Sequence, residues 1–470
     1  MKEIVFTTGL GIGEETKGAS VKWLTEQFHA HTNLRSGGCQ SGHFVVNEDG
    51  QEQMFDLFGS GTFSGAQTYL KNMVIDPIFL FREAIELEKK GIVNPFNKIS
   101  IDQNCLSITP YHGALSRVKE LLKGEDKKGT TGIGVGEAIR DSSFSDLTIR
   151  TKDFFDNRNF LTLKVESIRQ YKLKQAQELV NQFPSNKKIP DQVFQELNLL
   201  NNQKLVESVV DSFQYLKDLV AITNEQDFDD LLNRDGAIVC EASHGALLHP
   251  YYGFVPHVTQ VDPTARNLIK SVKDRDYSGK IIKLGISRCY STRHGAGPLV
   301  SYDPQLTQAI QESPHNNQHN DWLGEFRNGA YDVVSMRYAL DISGGQESFT
   351  GLKISYLDVL SKFSQWPVCE AYYLDSSSPK LTNYFDFQKD LIVGIKKYQG
   401  ISIQDQIDHQ TKLTQFLKQC KPVINYLKPT PEKKLDQVFI DYVEEKLNLP
   451  VVAVAYGPKS SDRQFRVNLT

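Results

Sequence analysis

The chain has 470 residues, and its 53 Lys and Arg against 57 Asp and Glu give a formal net charge of −4 at pH 7. Hydrophobic residues make up 39% and charged residues 23%, which is typical of a soluble globular protein. The near balance of charge excludes the basic surface of a dedicated nucleic-acid-binding protein, and no apolar run approaches the roughly 18 residues of a membrane helix.

The start of the chain and its cysteines indicate the cellular compartment. Met1-Lys2-Glu3 leads directly into a strand-like run, so we expect no signal peptide. The six cysteines are widely scattered, with no pair at the Cys-x-x-Cys spacing of a metal or redox site. We therefore expect free thiols in a reducing, cytoplasmic compartment, in an enzyme with neither a membrane nor a nucleic acid as partner.

Short apolar runs typical of buried strands alternate with helical stretches along the chain. The predicted strands lie at 4–8, 238–240, 281–284 and 451–455, and the predicted helices at 18–28, 77–89 and 112–122. This alternation predicts an α/β fold around a mostly parallel central sheet. Polar segments with helical spacing predict a helical insertion at 160–232 and a peripheral helical segment at 400–436. No linker divides the chain, so we predict a single domain over residues 1–470.

A glycine-rich segment, GLGIGEETKG at 9–18, falls where the first predicted strand turns into the first predicted helix. A dinucleotide-binding fingerprint would need glycine in place of Glu14, and a P-loop would end in Gly-Lys-Ser/Thr, of which Lys17-Gly18 is only a near relative. Backbone N–H groups at a helix N-terminus, with Lys17 as a point charge, nevertheless suit a phosphate. A tight turn without a ligand is the alternative at this point.

Seven segments stand in one collinear order from the first strand to the last. They are GEETKG (13–18), GGCQSGHFVV (37–46), KGTTGIGVG (128–136), CEASHG (240–245), YSTRHGAGP (290–298), SYLDVL (355–360) and YGP (456–458). In the same order they resemble GDEGKGK, GGNNAGHTVV, GTTGRGIGP, FEGAQG, YTTRVGAGP, TKLDVL and the terminal GP element of the adenylosuccinate synthetase family. The resemblance covers nearly the whole chain and implies that family's P-loop-NTPase-like α/β fold with helical insertions, and a homodimer.

The resemblance also implies a reaction, because this family joins an amine to a 6-oxopurine nucleotide with GTP. The ring oxygen is first made a phosphate ester, and the amine then displaces the phosphate. The first step needs a base for the ring N–H and positive charge around the transferred phosphoryl group. By resemblance, Glu14 is the base, Lys17 contacts the phosphate and His43 is the acid that assists the ring oxygen. GTP and Mg²⁺ are the implied cofactors, with Glu14 and the Gly42 carbonyl as ligands of the metal.

The remaining site residues follow from the same motifs. The nucleotide-binding residues implied by resemblance are Gly13, Glu15, Thr16, Gly18, Gly42, Asp358, Gly457 and Pro458, with Asp358 accepting both guanine N–H groups. Those implied for the purine-like acceptor and the amine are Gln40, Thr130, Thr131, His244, Thr259, Arg293 and Arg327. Taken alone, Asp358 fits a turn residue as well as a guanine ligand, and His43 fits a structural hydrogen bond as well as a catalytic acid. Only the collinear motifs favour the functional roles.

Several positions depart from the family pattern. Glu14 replaces an aspartate, which moves the carboxylate by one methylene, about 1.5 Å. Thr16 replaces a loop glycine, so either the backbone torsion or the approach of phosphate must differ. The family's Asn and Gln are replaced by Gln40 and His244, and Ile133 replaces its Arg. The arginine that the family inserts into the neighbouring subunit has no counterpart near Ser145, and Arg140 or Arg150 are the available substitutes.

The largest departure follows Gly324-Glu325-Phe326. The family continues with GATTGRRRR, which binds the aspartate carboxylates, whereas here Arg327 leads directly into the next element. A bidentate arginine is the natural partner of a dicarboxylate, so its loss argues against ordinary L-aspartate binding. We therefore favour a GTP-dependent ligase with an altered substrate. An ordinary adenylosuccinate synthetase with a substituted amino-acid site and a non-catalytic GTP-binding scaffold remain as alternatives.

Overall fold

The computed structural model describes residues 2–124, 129–311, 324–374 and 379–469. The strands are β1 (Lys2–Gly9), β2 (Thr32–Gly38), β3 (His43–Val46), β4 (Glu52–Phe55), β5 (Gln67–Ile75), β6 (Ile99–Asp102), β7 (Leu106–Ser107), β8 (Ala221–Thr223), β9 (Gly236–Gly245), β10 (Lys280–Arg288), β11 (Ser291–His294), β12 (Phe326–Gly329), β13 (Tyr331–Asp332), β14 (Gly351–Ser355), β15 (Trp366–Tyr373), β16 (Phe385–Gln388), β17 (Leu391–Ile395), β18 (Lys421–Leu427), β19 (Val451–Ala455) and β20 (Arg463–Phe465).

The helices are α1 (Lys17–Gln27), α2 (Pro77–Lys89), α3 (Pro110–Leu121), α4 (Val135–Asp141), α5 (Arg158–Asn181), α6 (Asp191–Asn201), α7 (Leu205–Leu219), α8 (Glu225–Asn233), α9 (Arg266–Lys273), α10 (Pro304–Gln311), α11 (Val333–Ile342), α12 (Ile403–Leu417) and α13 (Leu435–Leu447). The predicted strands lie within β1, β9, β10 and β19, and the predicted helices coincide with α1, α2 and α3 to within about two residues.

The central sheet of the described residues has 11 strands, in the order β20-β19-β14-β10-β1-β9-β2-β5-β6-β8, with β7 beside β5. Its neighbours are parallel except for β20, which runs antiparallel to β19. All five residues of β19 are buried, as expected for a parallel strand covered on both faces. The predicted α/β fold with a mostly parallel central sheet is confirmed.

The two segments predicted as helical additions are built differently from each other. Residues 160–232 are mostly helical, in α5 to α8, although β8 extends the edge of the central sheet beside β6. Within 400–436, α12 is helical, but the prediction is wrong for β18, which pairs antiparallel with β15 in a second, five-stranded sheet. The strand β18, KPVINYL, is short, partly exposed and set within a mostly polar segment, so its apolar residues did not indicate a strand.

The parallel strands place six loops at one edge of the central sheet. The carboxyl ends of β1, β2, β9, β10, β14 and β19 all point to this edge, and one of the segments singled out in the sequence lies at or directly after each of these ends. Ligands of open α/β sheets bind at this edge. No helix of the described residues is long and apolar enough to cross a membrane. All six cysteines are free thiols.

Candidate active site

A cleft of about 750 Å³ opens at the carboxyl edge of the sheet. Its walls include Gly13, Glu14, Gln40, Gly42, His43, Thr130, Thr131, His244, Thr259 and Arg293. The structure therefore brings together most of the residues assigned to catalysis and to the acceptor. They come from the segments at or after the carboxyl ends of β1, β2, β9 and β10 and from the segment between α3 and α4, because parallel strands carry distant parts of the chain to one edge.

His43 is held by a buried carboxylate that sequence reasoning did not single out. Its Nδ1 is hydrogen-bonded to Glu241, and its Nε2 lies 2.9 Å from the Ser243 carbonyl oxygen. Glu241 is fully buried and also accepts from the Ser60 backbone N–H at 2.9 Å. Glu241 lies inside the segment CEASHG, but only the pairing of β9 with β2 reveals its contact with His43.

The protonation of this pair follows from its surroundings. Burial favours a raised pKa for Glu241, but Arg35, His43 and Ser60 outweigh burial and lower that pKa to about 2. Burial lowers the pKa of His43, and the hydrogen bond to Glu241 opposes this. Because the ionised Glu241 can only accept, it fixes Nδ1 of His43 as a donor. Nε2 is then the ring nitrogen whose protonation can change.

Arg35 connects the segments around His43 and Glu241. Its guanidinium is fully buried and donates to the carbonyl oxygens of Phe58 (2.6 Å), Ser41 (2.9 Å) and Phe55 (2.9 Å). It also lies 3.4 Å from the Glu241 carboxylate. A buried arginine with these partners rigidifies the loop that carries His43. Sequence reasoning missed Arg35, because its partners are backbone atoms distant in the chain.

The base candidate Glu14 faces a buried arginine that the sequence also left unmarked. Arg288, the last residue of β10, has its Nη2 3.8 Å from Glu14 Oε2. Its guanidinium stacks 4.5 Å from the Tyr356 ring centroid, and its Nη1 donates to the Tyr290 hydroxyl at 3.3 Å. Burial opposes the charged form of Arg288, but Tyr356, Tyr290 and Glu14 outweigh it and raise its pKa. A nearby cation favours the ionised carboxylate, which is the form that can accept a proton.

The glycine-rich loop keeps a left-handed backbone at its altered position. Thr16 has φ 62° and ψ 33°, which is the left-handed conformation that favours glycine. A threonine in this conformation has a strained backbone. Glu15 and Lys17 are both buried and form an ion pair at 3.2 Å, and Glu15 accepts from the Gly13 N–H at 2.7 Å. Lys17 is thus paired with Glu15, beside the cleft and not in its wall.

Gly18 has a packing role at the start of α1. A Cβ at this position would lie 2.8 Å from the His43 Cβ and 3.2 Å from the Phe44 carbonyl oxygen. Glycine is therefore required for α1 to approach the strand that carries His43. This contact positions the glycine-rich loop against β3, which begins with His43.

The residues assigned to guanine lie on two adjacent strand ends. Asp358 follows β14, and Gly457 and Pro458 follow β19, its parallel neighbour. Oδ1 of Asp358 is buried and has no hydrogen-bond partner within the described chain. Burial raises the pKa of Asp358, and Asp462 adds to this. An unpartnered acceptor at this position fits a base that presents N–H donors, as guanine does.

The metal assignment rests on two oxygen donors. The described residues contain no cluster of three or more His, Cys, Asp or Glu side chains that could hold a metal ion. The Glu14 carboxylate and the Gly42 carbonyl lie on one cleft. Mg²⁺ is usually held by one or two carboxylates together with substrate phosphates, so this set fits an ion carried by a nucleotide better than a resident metal.

The two arginines assigned to an anionic substrate are engaged with the main chain. Arg293 is fully buried and donates to the carbonyl oxygens of Ala296 (2.7 Å), Pro298 (3.1 Å) and His257 (3.3 Å). Burial and the neighbouring Arg327 lower its pKa to about 9.

Arg327 contributes to the same loop and not to the cleft. It donates to the carbonyl oxygens of Gly295 (2.6 Å) and Gly297 (2.9 Å), and it is not among the residues that line the cleft. Arg293 and Arg327 thus brace residues 295–298. This arrangement leaves their role as carboxylate ligands without support from the geometry.

Of the two substitutes for the family's intersubunit arginine, one lines the cleft. Arg140 does so, together with Lys119, and both pair with the buried Glu137. Arg150 lines a separate cavity of about 240 Å³ and donates to the Asn104 carbonyl oxygen at 2.7 Å.

His244 enters the cleft as a neutral ring. Its Nδ1 lies 3.1 Å from the Ser243 hydroxyl. Burial and the positive charges of Lys17, His43 and Arg35 lower its pKa to about 3. At neutral pH its imidazole therefore offers one donor and one acceptor, as the amide of the family's glutamine does.

Comparison with known proteins places this site in a family. The adenylosuccinate synthetase family model matches residues 6–463. Curated adenylosuccinate synthetases of Chlorobium phaeovibrioides and Marinomonas sp. are each 27% identical, over 97% and 98% of this chain and 96% and 98% of their own lengths.

Solved structures share the fold. The fully ligated adenylosuccinate synthetase from Plasmodium falciparum superposes with a TM-score of 0.71 at 18% identity, covering 98% of this chain and 99% of that one. A cyanophage S-2L succinoaminodeoxyadenylate synthetase, solved with dGMP and with dATP as an energy donor, superposes with a TM-score of 0.52 at 13% identity, covering 100% and 96%.

Proposed function

Since this chain belongs to the adenylosuccinate synthetase family, whose members are GTP-dependent carbon–nitrogen ligases, we propose that it phosphorylates the oxo group of a purine-like nucleotide and lets an amine displace the phosphate. The observation that carries the proposal is the meeting of Glu14 and His43 on one cleft at the carboxyl edge of the sheet. The proposed assembly is the homodimer of the family, in the cytoplasm.

The first chemical step is assigned to Glu14 and His43. GTP supplies the phosphoryl group when it is bound, and Mg²⁺ shields the charge of its phosphates. Glu14, whose Oε2 lies 3.8 Å from Arg288 Nη2, accepts the proton from the ring nitrogen beside the oxo group. Negative charge then develops on the oxygen, and the protonated ring of His43, held by Glu241, stabilises this charge from Nε2, which also faces the Ser243 carbonyl oxygen at 2.9 Å.

The acceptor's own phosphate is assigned to the opposite end of the cleft. Thr130, Thr131 and Thr259 offer hydroxyl donors there, and Lys119 and Arg140 line the same cleft. Both cations already share one carboxylate, Glu137, with Lys172 as a third neighbour at 3.5 Å. Lys172 also pairs with Asp141 at 2.7 Å, so three cations share two carboxylates, which leaves positive charge for an anionic ligand.

For the second substrate, we propose an amine other than L-aspartate held in the family's usual way. Arg293 and Arg327 donate to backbone carbonyls, and Arg327 is the only arginine of the sequence between Phe326 and Val334, where the family has its arginine-rich loop. A dicarboxylate normally needs at least one bidentate arginine. An amine with one anionic group, or none, suits these residues better.

Ordinary synthesis of adenylosuccinate is the second candidate. It is favoured by relatives of that name that match this chain almost from end to end. The difference between the two candidates lies only in the amine, because both use the same base, acid and nucleotide residues.

Phosphate release separates these possibilities. The purified protein is incubated with GTP, Mg²⁺, a 6-oxopurine nucleotide (IMP, GMP or dGMP) and an amine (L-aspartate, other amino acids or ammonium), and ATP replaces GTP in parallel. Release with another amine and not with L-aspartate supports the altered substrate, and release with IMP and L-aspartate supports the ordinary reaction. GTP binding with no release in any combination would indicate a non-catalytic scaffold.

A further inference from the structure

A lysine without a counter-ion lies beneath the glycine-rich loop. Lys353, in β14, is fully buried, and no carboxylate of the described chain lies within ion-pair distance of it. Its Nζ donates to the Ser355 hydroxyl at 2.6 Å. The Ser355 hydroxyl in turn lies 2.7 Å from the Thr16 hydroxyl, at the residue that begins α1. Three side chains thus form one hydrogen-bonded row from the sheet to the loop.

The donor and acceptor inventory gives this row a direction. An ammonium group has donors only, so Ser355 must accept from Lys353. Either hydroxyl can donate in the contact between Ser355 and Thr16, and the row runs from Lys353 towards the loop when Ser355 donates to Thr16. The proton of the Thr16 hydroxyl is then left to donate away from the row, at the N-terminus of α1, where backbone N–H groups already favour an anion.

The surroundings of Lys353 lack negative charge. Burial lowers the pKa of Lys353 well below its ordinary value, and the nearby Arg463 adds to this. Arg463 is itself buried, and its Nε has no hydrogen-bond partner within the described residues. Its Nη1 donates to the carbonyl oxygen of Pro458 at 2.8 Å. Two buried cations, one with an unpartnered donor, therefore lie between the phosphate-binding loop and the turn assigned to guanine.

Thr16 also carries a conformational cost that its hydroxyl can explain. A β-branched residue at φ 62° is strained, and glycine would remove this strain. The loop has glycine at several neighbouring positions, so the fold does not require a side chain at this one. Strained residues that persist are found where the side chain has a task.

We propose that Lys353, Ser355 and Thr16 form a relay that aims the Thr16 hydroxyl at a phosphate of the bound nucleoside triphosphate, with Lys353 supplying the positive charge beneath it. This inference rests on the proposed function, because it assigns these residues to the nucleotide of that reaction. It explains why a threonine occupies the position at which the family has glycine. Lys353 and Ser355 are positioning residues, and Thr16 touches the ligand.

Binding and stability, measured together, test the relay. Thr16→Gly and Lys353→Met are each expected to raise the midpoint of thermal unfolding, since one relieves strain and the other removes an uncompensated buried amine. Both are expected to weaken binding of GTP by about tenfold in calorimetry, the effect of losing one hydrogen bond to a charged group. Opposite signs for stability and affinity distinguish a ligand-binding role from a structural one.

Two matched variants serve as controls. Thr16→Ser keeps the hydroxyl and is expected to bind GTP within about twofold of the wild type. Lys283→Met removes another buried lysine, in the adjacent strand β10, whose Nζ donates to the Ser343 carbonyl oxygen (2.6 Å) and not to the loop. It is expected to leave GTP binding unchanged.

Inorganic tripolyphosphate, used as a second probe, separates this inference from the proposed function. Wild-type protein that binds tripolyphosphate but not GTP overturns the nucleotide assignment and leaves the relay, provided that Thr16→Gly weakens the binding. Equal affinity of wild type, Thr16→Gly and Lys353→Met for both probes overturns the relay alone. Failure of the wild type to bind either probe overturns both.

Discussion

His43 and Glu241 are separated by 198 residues and are joined by a hydrogen bond from the imidazole Nδ1 to a fully buried carboxylate. The carboxylate belongs to the central strand β9, which carries it beneath the loop that holds His43. Because Glu241 is anchored by Arg35 and Ser60, the imidazole is held in one orientation at the cleft. This pair is the best-defined element of the proposed active site.

Glu241→Gln tests that element. The variant keeps the shape of the side chain and removes the charge that fixes Nδ1 as a donor, so kcat is expected to fall by about 100-fold with little change in KM for the acceptor. Steady-state phosphate release measures both constants.

A second buried glutamate provides the control for this variant. Glu83, in α2, accepts the Leu57 N–H at 2.7 Å, and burial raises its pKa to about 8. Glu83→Gln is expected to retain kcat, since it removes no charge at neutral pH. Equal kcat in wild type and Glu241→Gln would contradict the orienting role.

The pH dependence of stability has a defined sign at Glu241. Its pKa of about 2 lies below the ordinary value of 4.5, so its ionised form stabilises the fold by roughly 3 kcal/mol above the ordinary pKa. This contribution is lost as the pH falls from 4.5 towards 2. Urea unfolding of wild type and Glu241→Gln should therefore show a large difference in the free energy of unfolding at pH 7 and a smaller one at pH 3. The same difference at both pH values would contradict the assignment.

Asp358→Asn is expected to change the base preference of the nucleotide site. The unpartnered Oδ1 is the proposed acceptor for guanine N–H groups. A carboxylate accepts with both of its oxygens, whereas the asparagine amide has one oxygen that accepts and a nitrogen that only donates. We expect the Kd for GTP to rise about tenfold while the weaker binding of ATP stays the same.

Asp436→Asn is the control for the guanine assignment. Its carboxylate, in α13, bonds the Tyr456 hydroxyl at 3.0 Å beside the same turn. Its loss should not alter the ratio of the two Kd values in calorimetry. An unchanged ratio in Asp358→Asn as well would contradict the guanine assignment.

Arg140 and Arg150 offer a paired test of the acceptor's phosphate. Arg140 lines the cleft beside Thr130 and Thr131, whereas Arg150 lines the separate cavity. Arg140→Ala is expected to raise KM for the acceptor nucleotide about tenfold with kcat retained, and Arg150→Ala to leave both unchanged. The reverse result would place the phosphate at the second cavity.

Part of the fold was predictable because buried parallel strands are continuous apolar runs. The run VVAVA at 451–455 is β19, and IIKL at 281–284 lies in β10. The strand β18 escaped prediction because it is partly exposed and lies within a mostly polar segment, and its pairing with β15 is visible only in the structure.

The site was predictable where function lies in local motifs, and not where it depends on distant pairing. Glu14 and His43 stand in recognisable segments, and the structure places both on the cleft. Arg35, Glu241 and Arg288 act through partners that only the strand order brings near. The role of Arg293 stays a prediction, because a motif position cannot show that its guanidinium is surrounded by carbonyl oxygens.

The central claim, that this cleft transfers a phosphoryl group to a ring oxygen, is tested most directly by positional isotope exchange in GTP labelled with ¹⁸O at the β–γ bridge. With Mg²⁺ and a 6-oxopurine nucleotide but no amine, reversible transfer moves the label into the non-bridging β positions. We expect exchange that requires the acceptor and that is abolished in Glu14→Gln while this variant still binds GTP. GTP bound with no exchange for IMP, GMP or dGMP would contradict the account.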